Sequence, residues 1–239
     1  MKKCKILSLV LIVGLFPAMS WASDVYSLDT VDMPTANTML KGMYNFTLKI
    51  YEGGGIATKG WVSFANSFMV GASFNLENVV GRGEVKGREP KLIARLRFIN
   101  ESAGLPAFSL GYEPQGYGVF DEAIGEYSSK PIGLYVVASK TISFFEGLQY
   151  SVGAGNRNVF KDFQASKNLD IFLGGSLSLT NELALLAEYD DIFKDTNIFN
   201  FGVRFAFSSN LTLELDFKNL TKGIQENTRT LRIHYTDSF

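Results

Sequence analysis

The chain has 239 residues, 46% of them hydrophobic and 13% aromatic, with 23 glycines, 6 prolines and a formal net charge of −1. That balance excludes the basic footprint of a nucleic-acid partner and gives no polybasic patch for an anionic membrane surface. Beyond the first 22 residues no apolar run approaches the roughly 18 residues of a spanning helix, so a chain this apolar is either a soluble β-protein or a membrane β-barrel.

Residues 1–22 read as a secretory signal peptide. Lys2, Lys3 and Lys5 make a positive start, 6–21 is an apolar core broken only by small residues and Pro17, and Ser20 and Ala22 put small residues at −3 and −1. Cys4 lies in the basic start and not at a lipid-attachment point, so the chain expected to begin at Ser23 has no cysteine and no disulfide. Cleavage removes three of the 23 basic residues and none of the 24 acidic ones, a net charge near −4. Residues 23–39 are polar, carry Pro34, and read as a loose N-terminal periplasmic segment.

Alternation with a period of two then begins, the signature of strands with two unlike faces. Over 40–51, Tyr44, Phe46, Leu48 and Ile50 oppose Asn45, Thr47 and Lys49. After Gly53-Gly54-Gly55 come 56–65, a turn at Asn66-Ser67, and 68–77, with Val70, Ala72, Phe74 and Leu76 against Gly71, Ser73 and Asn75. The pattern continues through 91–100, 107–113, 131–140, 148–155, 169–179, 182–190, 198–207, 211–218 and 231–239. Connections after the even strands are short, and the segments 78–90, 114–130, 156–168 and 219–230 are long. About twelve strands of near ten residues, joined by alternately short and long connections, predict an all-β, antiparallel up-and-down transmembrane β-barrel over 40–239.

The second face decides between lipid and a soluble core. It is lined by small residues such as Gly71, Ser73, Ser109, Gly111, Ser151, Gly153, Gly155, Gly174, Ser176 and Gly202. Glycine has no reason to recur on a solvated strand, but in a narrow lumen it makes room for long side chains. The charges on that face are Lys49, Lys59, Arg95, Arg97, Arg204, Lys218 and Arg232 against Glu113, Glu182, Glu188, Asp190, Glu214 and Asp216. Either they fill the lumen with salt bridges or their asymmetry selects a permeant. Closure of the barrel brings the last strand beside the first, so Arg232 approaches Lys49, with Glu214 and Asp216 on its other side.

His234 is the one histidine, and its nearest hydroxyls in sequence on that face are Thr236 and Ser238. A hydrolase needs a nucleophile, a base and an orienting group held in register, and nothing marks these as activated. One histidine without cysteine does not build a zinc site, and no cofactor motif is present. Asp190 and Asp191 alternate to opposite faces and make no acid/base pair, so no enzyme is expected.

The terminal strand, with Leu231, Ile233, Tyr235 and Phe239 on one face, resembles the closing strand of bacterial outer-membrane barrels, which the insertion machinery recognises; Tyr235 and Phe239 are the expected assembly signal. Three short stretches, Met33-Pro34-Thr35-Ala36, Tyr135-Val136-Val137-Ala138-Ser139-Lys140 and Leu186-Ala187-Glu188-Tyr189-Asp190, resemble the YjbH-like family of exopolysaccharide-associated outer-membrane proteins. The resemblance implies a barrel linked to polysaccharide production or export, without catalytic residues. The expectation is therefore a monomeric, non-enzymatic barrel in outer-membrane lipid that passes a small solute or polysaccharide. The other reading is a structural or adhesive barrel with a plugged lumen, whose loops 114–130 and 156–168 bind a partner.

Overall fold

The computed structural model describes residues 27–123, 125–142, 147–156, 169–192, 197–221 and 227–239. The expected signal peptide and most of the loop 156–168 lie outside the described residues. Among the described residues fifteen strands follow in order: β1 (Met43–Tyr51), β2 (Gly55–Ala65), β3 (Phe68–Glu77), β4 (Lys86–Gly87), β5 (Lys91–Ile99), β6 (Ala107–Glu113), β7 (Tyr117–Asp121), β8 (Glu126–Ser129), β9 (Gly133–Ile142), β10 (Leu148–Asn156), β11 (Leu169–Ser178), β12 (Leu183–Asp190), β13 (Ile198–Ala206), β14 (Leu211–Lys218) and β15 (Thr228–Ser238).

Twelve of them form one antiparallel sheet that closes on itself. β1 pairs with β15 along its whole length, from Met43 opposite Ser238 to Tyr51 opposite Thr230, and β2 pairs with both β1 and β3. Closure removes every free edge, which is what allows a sheet to sit in lipid. The three short strands lie in long connections: β4 adds two residues to β3, and β7 with β8 makes a separate hairpin between β6 and β9. The first barrel strand starts at Met43, because Gly42 turns the chain at φ +81°, and the last starts three residues earlier than its alternation suggests.

Outward positions carry Phe46, Leu92, Leu96, Phe98, Leu110, Val136, Val152, Leu173, Leu215 and Leu231, all exposed. Inward positions carry Asn45, Ser73, Arg95, Ser109, Ser151, Glu188, Asn200, Arg204, Glu214, Asp216 and Arg232, all buried. Apolar outside and polar inside is the reverse of a soluble protein and defines a transmembrane barrel of the outer-membrane type.

Residues 27–39 are not loose. They fold as a hairpin inside the barrel: Asp29 bridges Pro34, the Thr30 N–H donates to the Met33 carbonyl at 2.8 Å, and the Thr35 N–H donates to the Leu28 carbonyl at 3.0 Å. Its apolar side chains complete two small cores against the wall. Met33 and Ala36 pack with Ala107, Tyr135, Val137 and Phe172, and Met39 packs with Trp61, Met69 and Ile93. At about 1.5–3 kcal/mol for a fully buried methionine, these contacts contribute on the scale of the hairpin's polar bonds.

The small lumenal residues are where the hairpin rests. Ala36 donates its N–H to Ser139 Oγ and accepts from Ser109 Oγ, both at 2.7 Å. A Cβ on Gly174 would stand 2.8 Å from Thr30 Cγ2 and Oγ1, so the glycine makes room for the Thr30 side chain. Thr38 Oγ1 donates to the Asn66 carbonyl and the Lys41 N–H to Asn66 Oδ1, which ties the hairpin's exit to the β2–β3 turn at the short-turn rim.

Candidate functional site

The site is the docked hairpin and the lumenal side chains that grip it. Glu188, on β12, directs Oε2 at the tip, where it accepts the backbone N–H groups of Val31, Asp32 and Met33 at 3.0, 2.7 and 3.0 Å and the Thr30 hydroxyl at 3.0 Å. Successive N–H groups turned to one point make an anion nest, filled here by a wall carboxylate. Asn200 on β13 holds the other oxygen of Glu188 at 2.7 Å.

Two arginines hold the legs. Arg95 on β5 is fully buried and donates to the Leu28 carbonyl at 2.8 Å, the Asn37 carbonyl at 3.2 Å and Asp29 Oδ1 at 3.0 Å. Glu113 and the Tyr135 hydroxyl fix the same guanidinium at 2.8 Å each. Arg204 on β13 donates to Ser27 Oγ at 2.6 Å and to the Asp29 and Thr30 carbonyls at 3.0 and 3.2 Å, anchored by Glu214 at 2.6 Å. Arginine suits this work because its planar donors reach several acceptors at once and stay charged when buried.

The side chain of Asp32 enters a cage of cations. Lys49 on β1 reaches Oδ1 at 2.5 Å, Arg232 on β15 reaches the same oxygen at 3.1 Å, and Lys218 on β14 contacts Oδ2. Tyr117, from the β7–β8 hairpin in the long connection, donates its hydroxyl to Oδ2 at 2.7 Å, and the Lys218 ammonium touches the same hydroxyl. The Tyr117 ring lies 4.0 Å from Lys49 Nζ and 4.5 Å from Lys218 Nζ, a cation–π contact on each. Lys218 also donates to Ser129 Oγ at 2.8 Å, so the outer hairpin, the hairpin inside the barrel and the wall converge on Asp32.

Burial alone would raise the carboxyls of Asp29 and Asp32. For Asp29 the Lys59 and Arg95 charges outweigh it and hold the group below the usual aspartate range. For Asp32 the charges of Lys218, Lys49 and Arg232 do the same. Burial raises the Tyr117 phenol, with the Asp32 charge adding to it, so it stays a donor.

The hairpin stands between two cavities. One, of about 260 Å³, takes in Asp32 and Met33 from the tip together with Lys49, Tyr117, Lys218 and Arg232. The other, of about 250 Å³ toward the short-turn rim, takes in Leu28 and Met39 with Trp61, Arg204 and His234. Asp29 lines both.

Most of the charges expected in the lumen meet here. Lys49, Lys59, Arg95, Glu113, Glu188, Arg204, Glu214, Lys218 and Arg232 bind the hairpin or a residue that does, and Asp216 pairs with Arg232 at 3.0 Å. The register sets Lys49 and Glu214 opposite Arg232 on either side. Arg97 and Glu182 are not part of the cluster. Arg97 binds the Asn66 carbonyl at the rim, and Glu182 sits in the 179–182 turn bonded to Thr180, because both lie where a strand meets a short connection. Asp190 and Asp191 do not face opposite ways: the chain leaves the strand at Asp191, with φ at +55°, and both line the larger cavity. Tyr235 and Phe239 flank Tyr44 on the outside, each ring 6.3 Å from it.

His234 meets a hydroxyl that its own strand does not supply. Thr47, its partner on β1, lies 3.0 Å from Nδ1, and Glu214 lies 3.5 Å from Nε2. Thr47 is also bonded to Asn45, and Glu214 is held by Arg204 and Arg232, so both partners of the histidine are tied to other side chains of the wall. Asp29, Asp32, Tyr117 and Tyr135 were not among the expected residues. The one trace of them in the sequence is the excess of base on the first, second and fourth barrel strands, which asks for carboxylates from elsewhere.

No model of a known protein family matches the chain, and no curated protein matches it in sequence, so neither comparison ties it to the YjbH-like family. Among solved structures it is similar to the KdgM porin, at 12% identity and a TM-score of 0.48 over 82% of this chain and 99% of that one. It is also similar to the NanC porin (10%, 0.44, 82% and 99%) and to the outer membrane protein Omp33 of Acinetobacter baumannii (11%, 0.43, 82% and 97%).

Proposed function

We propose that the protein is an outer-membrane barrel for solute passage that its own N-terminal hairpin holds shut, with the short turns and the hairpin's ends on the periplasmic side. The observation that carries this reading is the docked hairpin standing between the two lumenal cavities, held by apolar contacts and by a network of buried polar bonds and ion pairs. Its buried ion pairs contribute little net stability while both partners stay, and leave costly unpaired charge when one departs, which makes docking responsive to solutes and pH. An exopolysaccharide role rests only on the short stretches that resemble the YjbH-like family.

Residues 30 and 174 offer the test. A Cβ on Gly174 would lie 3.3 Å from Thr30 Cβ, near the 3.5–4.5 Å of a disulfide. A Thr30→Cys, Gly174→Cys chain in a planar bilayer is expected to be silent when oxidised and to show openings after reduction. Equal conductance in both forms would show that the hairpin is no gate. Silence in both, and in an Asp32→Ala chain, would leave the structural barrel as the reading.

A further inference from the structure

We propose that the cage around Asp32 is a carboxylate-binding site of the barrel wall, and that Asp32 occupies it in place of a small carboxylate-bearing solute that enters from the long-loop side. The inference rests on the gated-passage reading for the ligand's role, but the site stands on its own geometry. Three cations from three neighbouring strands, Lys49, Lys218 and Arg232, converge with the Tyr117 hydroxyl on the two oxygens of one side chain. Both oxygens are engaged, as in recognition of a carboxylate and not of a single point of charge. The group that fills the cage belongs to a separate segment, not to the wall, so the wall's arrangement does not depend on the covalent attachment of Asp32.

Charge bookkeeping argues the same way. Arg232 keeps Glu214 and Asp216 when the hairpin departs. Among the described residues, Asp32 is the carboxylate that Lys49 and Lys218 pair with. Two ammonium groups left together in a lumen are costly unless an anion replaces the one that leaves. The cage also faces space: Asp32, Lys49, Tyr117, Lys218 and Arg232 all line the larger cavity, whose volume of about 260 Å³ admits a small organic acid. A solute carboxylate and Asp32 therefore compete for one place, which couples arrival of the solute to release of the hairpin.

Chemical rescue tests this with acetate, the part of the aspartate side chain that Asp32→Ala removes. The readout is the temperature at which the detergent-solubilised barrel loses its fast-migrating form on gels. Asp32→Ala is expected to lower that midpoint, and acetate to restore at least half of the loss where chloride at equal ionic strength does not. The wild-type chain, whose cage is filled, is expected to gain nothing from acetate, and Asp32→Ala combined with Lys218→Ala to lose the rescue. Asp32→Asn, which keeps the shape without the charge, guards against a folding defect and is expected to show a weaker rescue. Equal effects of acetate and chloride, or an equal gain in the wild type, would overturn the site. Because the gel needs no current, a rescued barrel that never conducts would fail the gate and keep the site, and a conducting barrel without rescue would do the reverse.

Discussion

Glu188 and Asp32 meet at 2.7 Å through the backbone N–H of Asp32, while the Asp32 side chain turns away toward Lys49 and Lys218. One wall carboxylate thus grips the main chain of the tip, and wall cations grip its side chain. Glu188→Ala removes four hydrogen bonds to the tip and is expected to weaken docking by about 3 kcal/mol, given about 1.5–3 kcal/mol for bonds to charged groups and their non-additivity. Glu188→Gln, which keeps an acceptor, is expected to lose less than half as much. Conductance and the rate at which a thiol at position 30 is labelled are the measurements, and unchanged labelling in Glu188→Ala would refute the grip.

Gly174→Val acts on the hairpin's resting place. The new side chain enters the space of Thr30 and is expected to cost docking about 1–3 kcal/mol by overpacking. Since position 174 faces the lumen, the barrel itself should still assemble. Faster proteolysis of 27–39 with an intact gel-shifting barrel is the expected result.

Tyr117→Phe removes a hydroxyl bonded to both Asp32 and Lys218 and keeps the ring beside the two ammonium groups. A loss of about 1–2 kcal/mol in docking is expected. If the outer hairpin were merely lying nearby, labelling at position 30 would not change.

Acid should release the hairpin. Asp29 and Asp32 titrate below the ordinary aspartate value of 3.8 when docked, so the docked state binds fewer protons than the released one. Their contribution is complete above that value and is lost as the pH falls below it toward the lower docked values. The gel-shift midpoint is expected to fall as the pH drops from about 5 to below about 4. A midpoint that rises on acidification would contradict the sign.

Phe239 is 82% exposed, so Phe239→Ala should leave the stability of the finished barrel nearly unchanged. A fall in the amount inserted in cells, with an unaltered midpoint for what is inserted, is the outcome expected of an assembly signal. A lowered midpoint instead would make the ring structural.

The strands were legible because lipid outside and charge inside enforce alternation at nearly every position. Lys49, Arg95, Glu188 and Arg232 could be assigned inward from that period alone. The period fails where strands end, which is why Arg97, Glu182 and Asp191 were misjudged. Residues 27–39 have no period at all. Their place depends on matches that appear only in three dimensions, such as the nest over Glu188 and the missing side chain at Gly174. The same small residues that marked the lumen were therefore correctly sided, but their purpose in receiving a hairpin was hidden.

Both legs of that hairpin return to one rim, with Ser27 held by Arg204 and Thr38 by Asn66. Traction on residue 27 from that side loads its bonds one after another, Ser27 first and the Asp32 cage last, as a zipper opens. The hairpin is therefore mechanically soft from the short-turn side, whereas pressure from the opposite mouth meets Glu188, Arg95 and Arg204 together.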